Sequence, residues 1–150
     1  MRVVLQRVSE ASVTIDQQLK AQIGVGFVVL LGITQQDTEV DIEWLTQKIV
    51  GLRVFSDAQG AMNLSIRDVD GDILVISQFT LHASTKKGNR PSFLAAARPE
   101  QAIPLYESFV STLSRKREKE IFTGTFGADM KVSLINDGPV TITIDSLIRE

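Results

Sequence analysis

Ser77, Gln78, Phe79 and Thr80 stand at the end of an apolar run, Ile73 to Ile76, and a cationic loop follows at Lys86, Lys87, Gly88, Asn89, Arg90 and Pro91. Four apolar residues in a row suit a strand buried on both faces. Polar side chains at the end of such a strand need partners or a ligand. Three cations beside turn formers make a basic rim next to them. Together they suit an anionic substrate held over a rigid strand end. A core strand followed by a solvated loop accounts for the same residues without a ligand.

The reactive groups are few. There is no cysteine, hence no thiolate chemistry, no disulfide framework and no Cys-ligated metal. His82 is the sole histidine. It stands two residues after Thr80, and on a strand such side chains share a face. A Thr80–His82 nucleophile is therefore one reading. There is no G-x-S-x-G elbow, and a lone histidine after a strand is more simply a surface or half-buried residue. The acidic residues fall in turns and on helix faces, so no carboxylate pair offers itself. Hydroxyls, backbone amides and bound water remain. That set hydrolyses only an activated bond, such as an ester or thioester. Its main lever is oxyanion stabilisation by N–H groups, ~3–4 kcal/mol for one donor.

The elements that must hold these groups follow from periodicity. Arg2 to Asp16 alternates and predicts two strands with a bend near Ser9-Glu10. Ala21 to Ile33, with GVGFVVLLGI, predicts one buried strand, its glycines marking close approaches. Thr38 and Asp41 form a capping-box pattern ahead of a helix with Trp44, Leu45, Ile49 and Leu52 on its apolar stripe and Gly51 near its end. Arg53 to Phe55 reads as extended and Ser56 to Gly60 as a turn stabilised by Asp57. Asp68, Asp70 and Asp72 resemble a calcium loop but lack the later bidentate Glu. Pro99 to Lys116 predicts a second helix with Ile103, Tyr106, Phe109, Val110 and Leu113 inward. Pro104 must lie in its first turn or kink it. Arg115, Lys116, Arg117 and Lys119 suit the helix C-terminus and read as a solvated end. Glu120 to Phe126 is irregular. Ala128 to Ile135 and Val140 to Ile144 alternate about Asn136-Asp137-Gly138-Pro139, which predicts a hairpin.

At 150 residues, 43% hydrophobic and 23% charged, the chain reads as one soluble domain spanning 1–150. Met1 to Val8 is too short and too interrupted by Arg2, Gln6 and Arg7 for a signal peptide. No apolar run approaches the ~20 residues of a membrane span. The expectation is a cytoplasmic protein with no membrane partner. A net charge of −2 argues against a basic nucleic-acid coat but leaves room for the patch at Lys86, Lys87 and Arg90.

Two motifs then carry a resemblance. Ser77-Gln78-Phe79-Thr80-Leu81 reads SQFTL, and Asn136 to Thr141 reads N-x-G-P-V-T. With the opening MRVVLQRVSEASVTID, FSDAQGAMN, GNRPSF and the TGTFGADMKVSLINDGPVT tail, the whole chain resembles the D-aminoacyl-tRNA deacylase family of the bacterial and eukaryotic single-domain type. His82 departs from the small residue expected there. The resemblance implies an α+β fold, a compact β-rich barrel-like domain with two main helices, acting as a homodimer. It implies hydrolysis of the ester joining a D-amino acid or glycine to the 3′ adenosine of tRNA, with L-aminoacyl-tRNA rejected and no metal or other cofactor. Ser77, Gln78, Phe79 and Thr80 would be the catalytic segment. Gly138 and Pro139, joined by a cis peptide, would meet the substrate and filter chirality across the dimer. Lys86, Lys87 and Arg90 would hold the tRNA; DNA is not expected as a partner. Two other classes stay open: a hydrolase of another activated ester or thioester using Thr80 and His82, and a non-enzymatic RNA-binding module using the cationic loop.

Overall fold

The computed structural model describes residues 1–149. In chain order its elements are β1 (Arg2–Ile15), β2 (Gln18–Ile23), β3 (Gly26–Gly32), α1 (Glu39–Gly51), β4 (Phe55–Ser56), β5 (Met62–Leu64), β6 (Asp72–Ser77), a 3-10 turn (Phe79–His82), α2 (Pro99–Arg117), β7 (Phe122–Thr123) and β8 (Lys131–Asp145). The fold is α+β, as expected. The strands of the main sheet follow the order β2-β1-β3-β6-β7, with β8 also on β1. β2 and β7, at opposite ends of that order, lie in contact. The sheet therefore curls into a nearly closed barrel.

Alternation along the strands sends side chains to two cores. Ile73 and Val75 of β6 join Phe27, Val29 and Leu31 of β3 under the helices, with Ile42, Leu45 and Ile49 of α1 and Tyr106, Phe109 and Leu113 of α2. Leu74 and Ile76 point the other way, onto Val28, Val8, Ala11, Val13 and Ile23 inside the curl. Hence the unbroken apolar run of β6: both its faces are covered. β6 runs parallel to β3 and to β7, and such pairs need helical crossovers, which α1 and α2 supply. Gly26 pairs with Asp72 at the start of the β3–β6 ladder. A Cβ there would lie 1.8 Å from the Asp72 carbonyl oxygen, so only glycine admits this approach.

Several expectations are corrected. The two N-terminal strands are one. Val3 and Leu5 face the helices, whereas Ala11 and Val13 face the barrel interior. A bulge between Val8 and Glu10 shifts the ladder to β8 and swaps the faces. The Ala21–Ile33 strand is two, because the chain bends at Gly24 and Val25 between β2 and β3; β2 itself is reached from β1 through Asp16 and Gln17, both at positive φ. Such φ values at both central residues match the twist of a two-residue hairpin. The predicted hairpin at Asn136 to Pro139 is absent: β8 pairs with β1 on both sides of it and leaves the ladder only locally. Both flanks alternate because both lie on the same partner strand. β7 orders part of the irregular Glu120–Phe126 segment.

The helices match closely. Pro104 lies in the second turn of α2, and Ile103 is exposed, with Ala102 taking its place in the core. The α2 C-terminus is less solvated than expected. Arg117 is buried and donates to the Asp70 carboxylate and the Gly71 carbonyl, both at 2.9 Å. Lys119 pairs with Asp72 at 2.8 Å, and Lys116 pairs with Glu43 of α1. Asp68 accepts from the N–H and hydroxyl of Ser65, so all three aspartates of the turn before β6 are committed to protein groups. Asp57 accepts the N–H groups of Gln59 and Ala61, as expected of a turn aspartate. No helix among the described residues is long and apolar enough to cross a membrane.

At the start of α1, the Thr38 N–H and hydroxyl donate to Asp41 at 2.8 and 3.2 Å. The buried Met1 ammonium pairs with Asp37 and donates to the Ser146 hydroxyl at 2.9 Å. Burial disfavours the Asp41 anion, but hydrogen bonds from Ser146 and the Thr38 N–H, with the nearby Met1 ammonium, outweigh it and hold its pKa below the ordinary value. A depressed carboxyl stabilises fully above its unfolded pKa of ~3.9 and loses that stabilisation as pH falls through the folded value. Asp41→Asn should therefore lower the melting temperature at pH 7 by roughly 3 °C, the worth of a ~1 kcal/mol cap. In thermal melts the gap to wild type should close below about pH 4.

Candidate active site

β6 ends at Ser77, which pairs with Leu31. The Gln78 N–H still reaches the Leu31 carbonyl at 2.7 Å. The chain then winds into the Phe79–His82 turn, closed by Leu81 N–H to Gln78 O at 3.2 Å and Ala83 N–H to Thr80 O at 3.1 Å. The first N–H groups of a helical turn have no partner within it. Among the described residues, the Phe79 and Thr80 N–H groups donate to no protein acceptor. The Gln78 side-chain amide donates to the Thr80 hydroxyl and sets its orientation.

A pocket of about 240 Å³ opens beside this turn. Ser77, Gln78 and Phe79 form one wall, and Phe126, Ala128 and Met130 form much of the other. Tyr106 ties the two walls together. Its hydroxyl donates to the Val75 carbonyl at 3.0 Å, and its ring meets Phe126 edge-on at 5.8 Å. Burial pushes the Tyr106 pKa up to about 12, so the hydroxyl stays a donor at neutral pH. The pocket lining is largely apolar, with polar groups confined to the Ser77–Gln78 side. Such a pocket accepts a flat ring system and leaves its polar edge at the strand end.

Thr80 is exposed next to this pocket and is absent from its lining. His82 is buried, its ring packed toward Gly32, where an added Cβ would meet His82 Cδ2 at 3.0 Å. Thr80 and His82 stand in a 3-10 turn of about 3 residues per turn, where positions i and i+2 point apart. The shared-face geometry of a strand does not apply, and the Thr80–His82 nucleophile loses its premise.

Gly138 and Pro139 are exposed, joined by a cis peptide, and border no part of the pocket of their own chain. Their segment is an excursion from the β1–β8 ladder. Gln6 pairs with Thr141 and Val8 with Asn136, so β1 spends one residue, Arg7, where β8 spends four. Asn136 closes the excursion by accepting the Val140 N–H at 2.8 Å and donating to Thr141 at 2.9 Å. Gly138 sits at φ +137, and a Cβ there would lie 2.9 Å from Arg7 Nη2. The buried Arg7 donates through Nε to the Asp137 carbonyl at 2.8 Å and through Nη1 to the Val54 carbonyl.

Lys86, Lys87 and Arg90 all lie exposed in a loop whose neck is the Ser84–Ser92 bridge. Sequence reasoning missed Arg7, Phe126 and Met130. Arg7 had a signal: it continues the inward positions Val3 and Leu5 of an alternating strand. Met130 stood on the apolar face of the alternating run Ala128 to Ile135, which marked it as packed but not as part of a site, and Phe126 had no signal, because Glu120 to Phe126 shows no periodicity.

Residues 4–145 match the family described as D-Tyr-tRNA(Tyr) deacylase. The D-aminoacyl-tRNA deacylases of Flavobacterium johnsoniae and Bacteroides thetaiotaomicron are 61% and 62% identical over 150 residues, all of this chain and all of theirs. A solved structure titled c-Myc DNA Unwinding Element Binding Protein has a TM-score of 0.91 at 44% identity, covering 97% of this chain and 98% of its own. Another, titled as a structural analysis of a probable eukaryotic D-amino acid tRNA deacylase, has a TM-score of 0.82 at 16% identity, covering 95% and 97%. At that identity the likeness carries the fold alone.

Arg7→Leu should cost about 3 kcal/mol, since two charge-assisted bonds are lost and the Val54 carbonyl is left buried without a donor. Urea unfolding checks the magnitude. Hydrogen exchange should quicken at the Val140 N–H, which the excursion closes.

Proposed function

The chain belongs to the D-Tyr-tRNA(Tyr) deacylase family, and from that premise we propose that it hydrolyses the ester joining a D-amino acid, or glycine, to the 3′ adenosine of tRNA. L-aminoacyl-tRNA is rejected. The observation that carries this reading is the pair of unclaimed N–H groups at Phe79 and Thr80, beside a pocket walled by Phe126 and Met130. The terminal adenosine enters the pocket, and the ester carbonyl comes to rest at the turn. Water adds to the carbonyl carbon, and the two N–H groups hold the oxyanion. Collapse breaks the bond to the ribose oxygen, which takes a proton with help from the vicinal hydroxyl. Free amino acid and free tRNA leave. Ser77 and Gln78 shape the approach, and Thr80, held by Gln78, orients the water or the ester.

The chain works as one domain, residues 1–150, paired with a second copy. Gly138 and Pro139 are exposed and face away from their own pocket, which suits a segment donated to the partner's site. Glycine lets the substrate come close, and proline offers no N–H. The segment therefore presents carbonyls to the α-ammonium group and leaves no space for an L side chain. A D side chain points outward, and glycine passes. Lys86, Lys87 and Arg90 take tRNA phosphates. The partner is RNA, with neither DNA nor a membrane, and the setting is the cytoplasm, where charged tRNA is used.

Release of amino acid from D-Tyr-tRNA and L-Tyr-tRNA tests the core of this reading. The expected result is turnover of the D ester alone; turnover of both, or neither, would overturn it. Thr80→Ala should lower kcat by roughly tenfold or more through lost positioning, with no acyl-enzyme trapped in wild type. Replacing two of the three loop cations with glutamine should flatten the log–log salt dependence of tRNA binding by roughly 1.4, at ~0.7 per single-strand phosphate. The D-over-L ratio should not change, since phosphate contacts position without specifying.

A further inference from the structure

Phe93 has no part in either core. It follows the loop neck directly: Ser84 and Ser92 exchange backbone hydrogen bonds of 2.8 and 2.9 Å, which close the cationic loop and return the chain toward the site. There the Phe93 ring meets Phe79 at 5.1 Å between centroids and 76° between planes. An edge-to-face pair covers only one of its four ring faces. Phe79 remains 56% exposed and Phe93 37%, and the next residue, Leu94, is 87% exposed. A cluster of apolar side chains in water beside a ligand pocket marks an interaction surface.

The charges beside it are of a particular kind. Lys116, Arg117 and Lys119 are tied to carboxylates. Among the described residues, Lys86, Lys87 and Arg90 form no ion pair. Uncommitted cations flanking exposed aromatic faces are the combination that binds single-stranded nucleic acid: the cations track phosphates, and the rings stack bases. A duplex keeps its bases covered and would gain only from the charges. An acidic protein surface would likewise gain nothing from the rings.

We propose that Phe93, with the open face of Phe79, is a stacking site for the unpaired nucleotide immediately 5′ of the terminal adenosine, with the cationic loop holding the phosphates that flank it. The inference rests on the deacylase reading, which puts the terminal adenosine in the pocket next to Phe79. The enzyme then grips the single-stranded end of the RNA before the ester, and the phenylalanine pair sets the angle at which the adenosine enters.

The test compares two esters, D-tyrosyl-adenosine and the D-tyrosyl ester of the trinucleotide C-C-A. Wild type should favour the trinucleotide by roughly tenfold in kcat/KM, the scale of one stacked base. Phe93→Leu should bring that ratio close to one, and Phe93→Trp should restore it. A wild-type ratio of one, or a Phe93→Leu ratio equal to wild type, overturns the proposal. A second measurement needs no variant: an uncharged C-C-A with a fluorescent cytosine analogue at the penultimate position should be quenched on binding. An unquenched complex overturns the proposal. Quenching without hydrolysis of either ester would leave the stacking site standing and remove the deacylase reading. Hydrolysis of both esters at equal rates, without quenching, would do the reverse.

Discussion

Burial of β6 on both faces is the constraint on which the rest of the molecule depends. A strand covered above and below has no solvent to satisfy its backbone, so both of its edges must be paired. β3 and β7 do this. Parallel pairing on both sides then demands a crossover on each side, which accounts for the two helices and for their packing on one face of the sheet. The glycine at position 26 belongs to the same constraint, because the ladder begins with two backbones too close for a Cβ. Where β6 ends, the constraint lifts abruptly. After Ser77 the chain leaves the ladder, Gln78 makes a last bond to Leu31, and Phe79 and Thr80 open a turn with their N–H groups unclaimed. The strand is rigid, so the groups after it are held in place.

β1 solves a second problem, that of serving two cores with one strand. A single extra residue near Ser9 switches its inward face, so its first half packs under the helices and its second half fills the barrel. On the same strand Arg7 faces inward and gains one of its two acceptors, the Asp137 carbonyl, where β8 departs from the ladder opposite it. The buried guanidinium and the exposed Gly138–Pro139 segment are thus two sides of one irregularity. Charge buried at Arg7 is satisfied by the Asp137 carbonyl of the excursion and by the Val54 carbonyl just before β4. The exposed tip is held from below by Arg7 and closed by Asn136.

The cations divide the same way. Those at the end of α2 are spent on the turn that leads into β6, where Arg117 and Lys119 meet Asp70 and Asp72. Among the described residues, Lys86, Lys87 and Arg90 after β6 form no ion pair. A solvated helix end and a cationic loop look alike in composition, and they differ only in what lies across from them.

What the sequence determined by itself is whatever depends on neighbours along the chain. The apolar run Ile73–Ile76, the Thr38–Asp41 cap, the Asp57 turn and both helices were legible because helix and turn formation use groups a few residues apart. The resemblance, carried by Ser77–Leu81 and Asn136–Thr141, led to the family and the fold. Tertiary structure decided the rest, and always for one reason: pairing partners far apart in sequence leave no local periodicity. Alternation on both sides of Gly138 reads as a hairpin, yet both flanks lie on β1, more than a hundred residues away. His82 seemed to share a face with Thr80 until the strand gave way to a 3-10 turn that separates them. Arg117 and Lys119 looked solvated because their aspartate partners lie in the turn before β6. Arg7, Phe126 and Phe93 acquire meaning only from what the fold brings beside them.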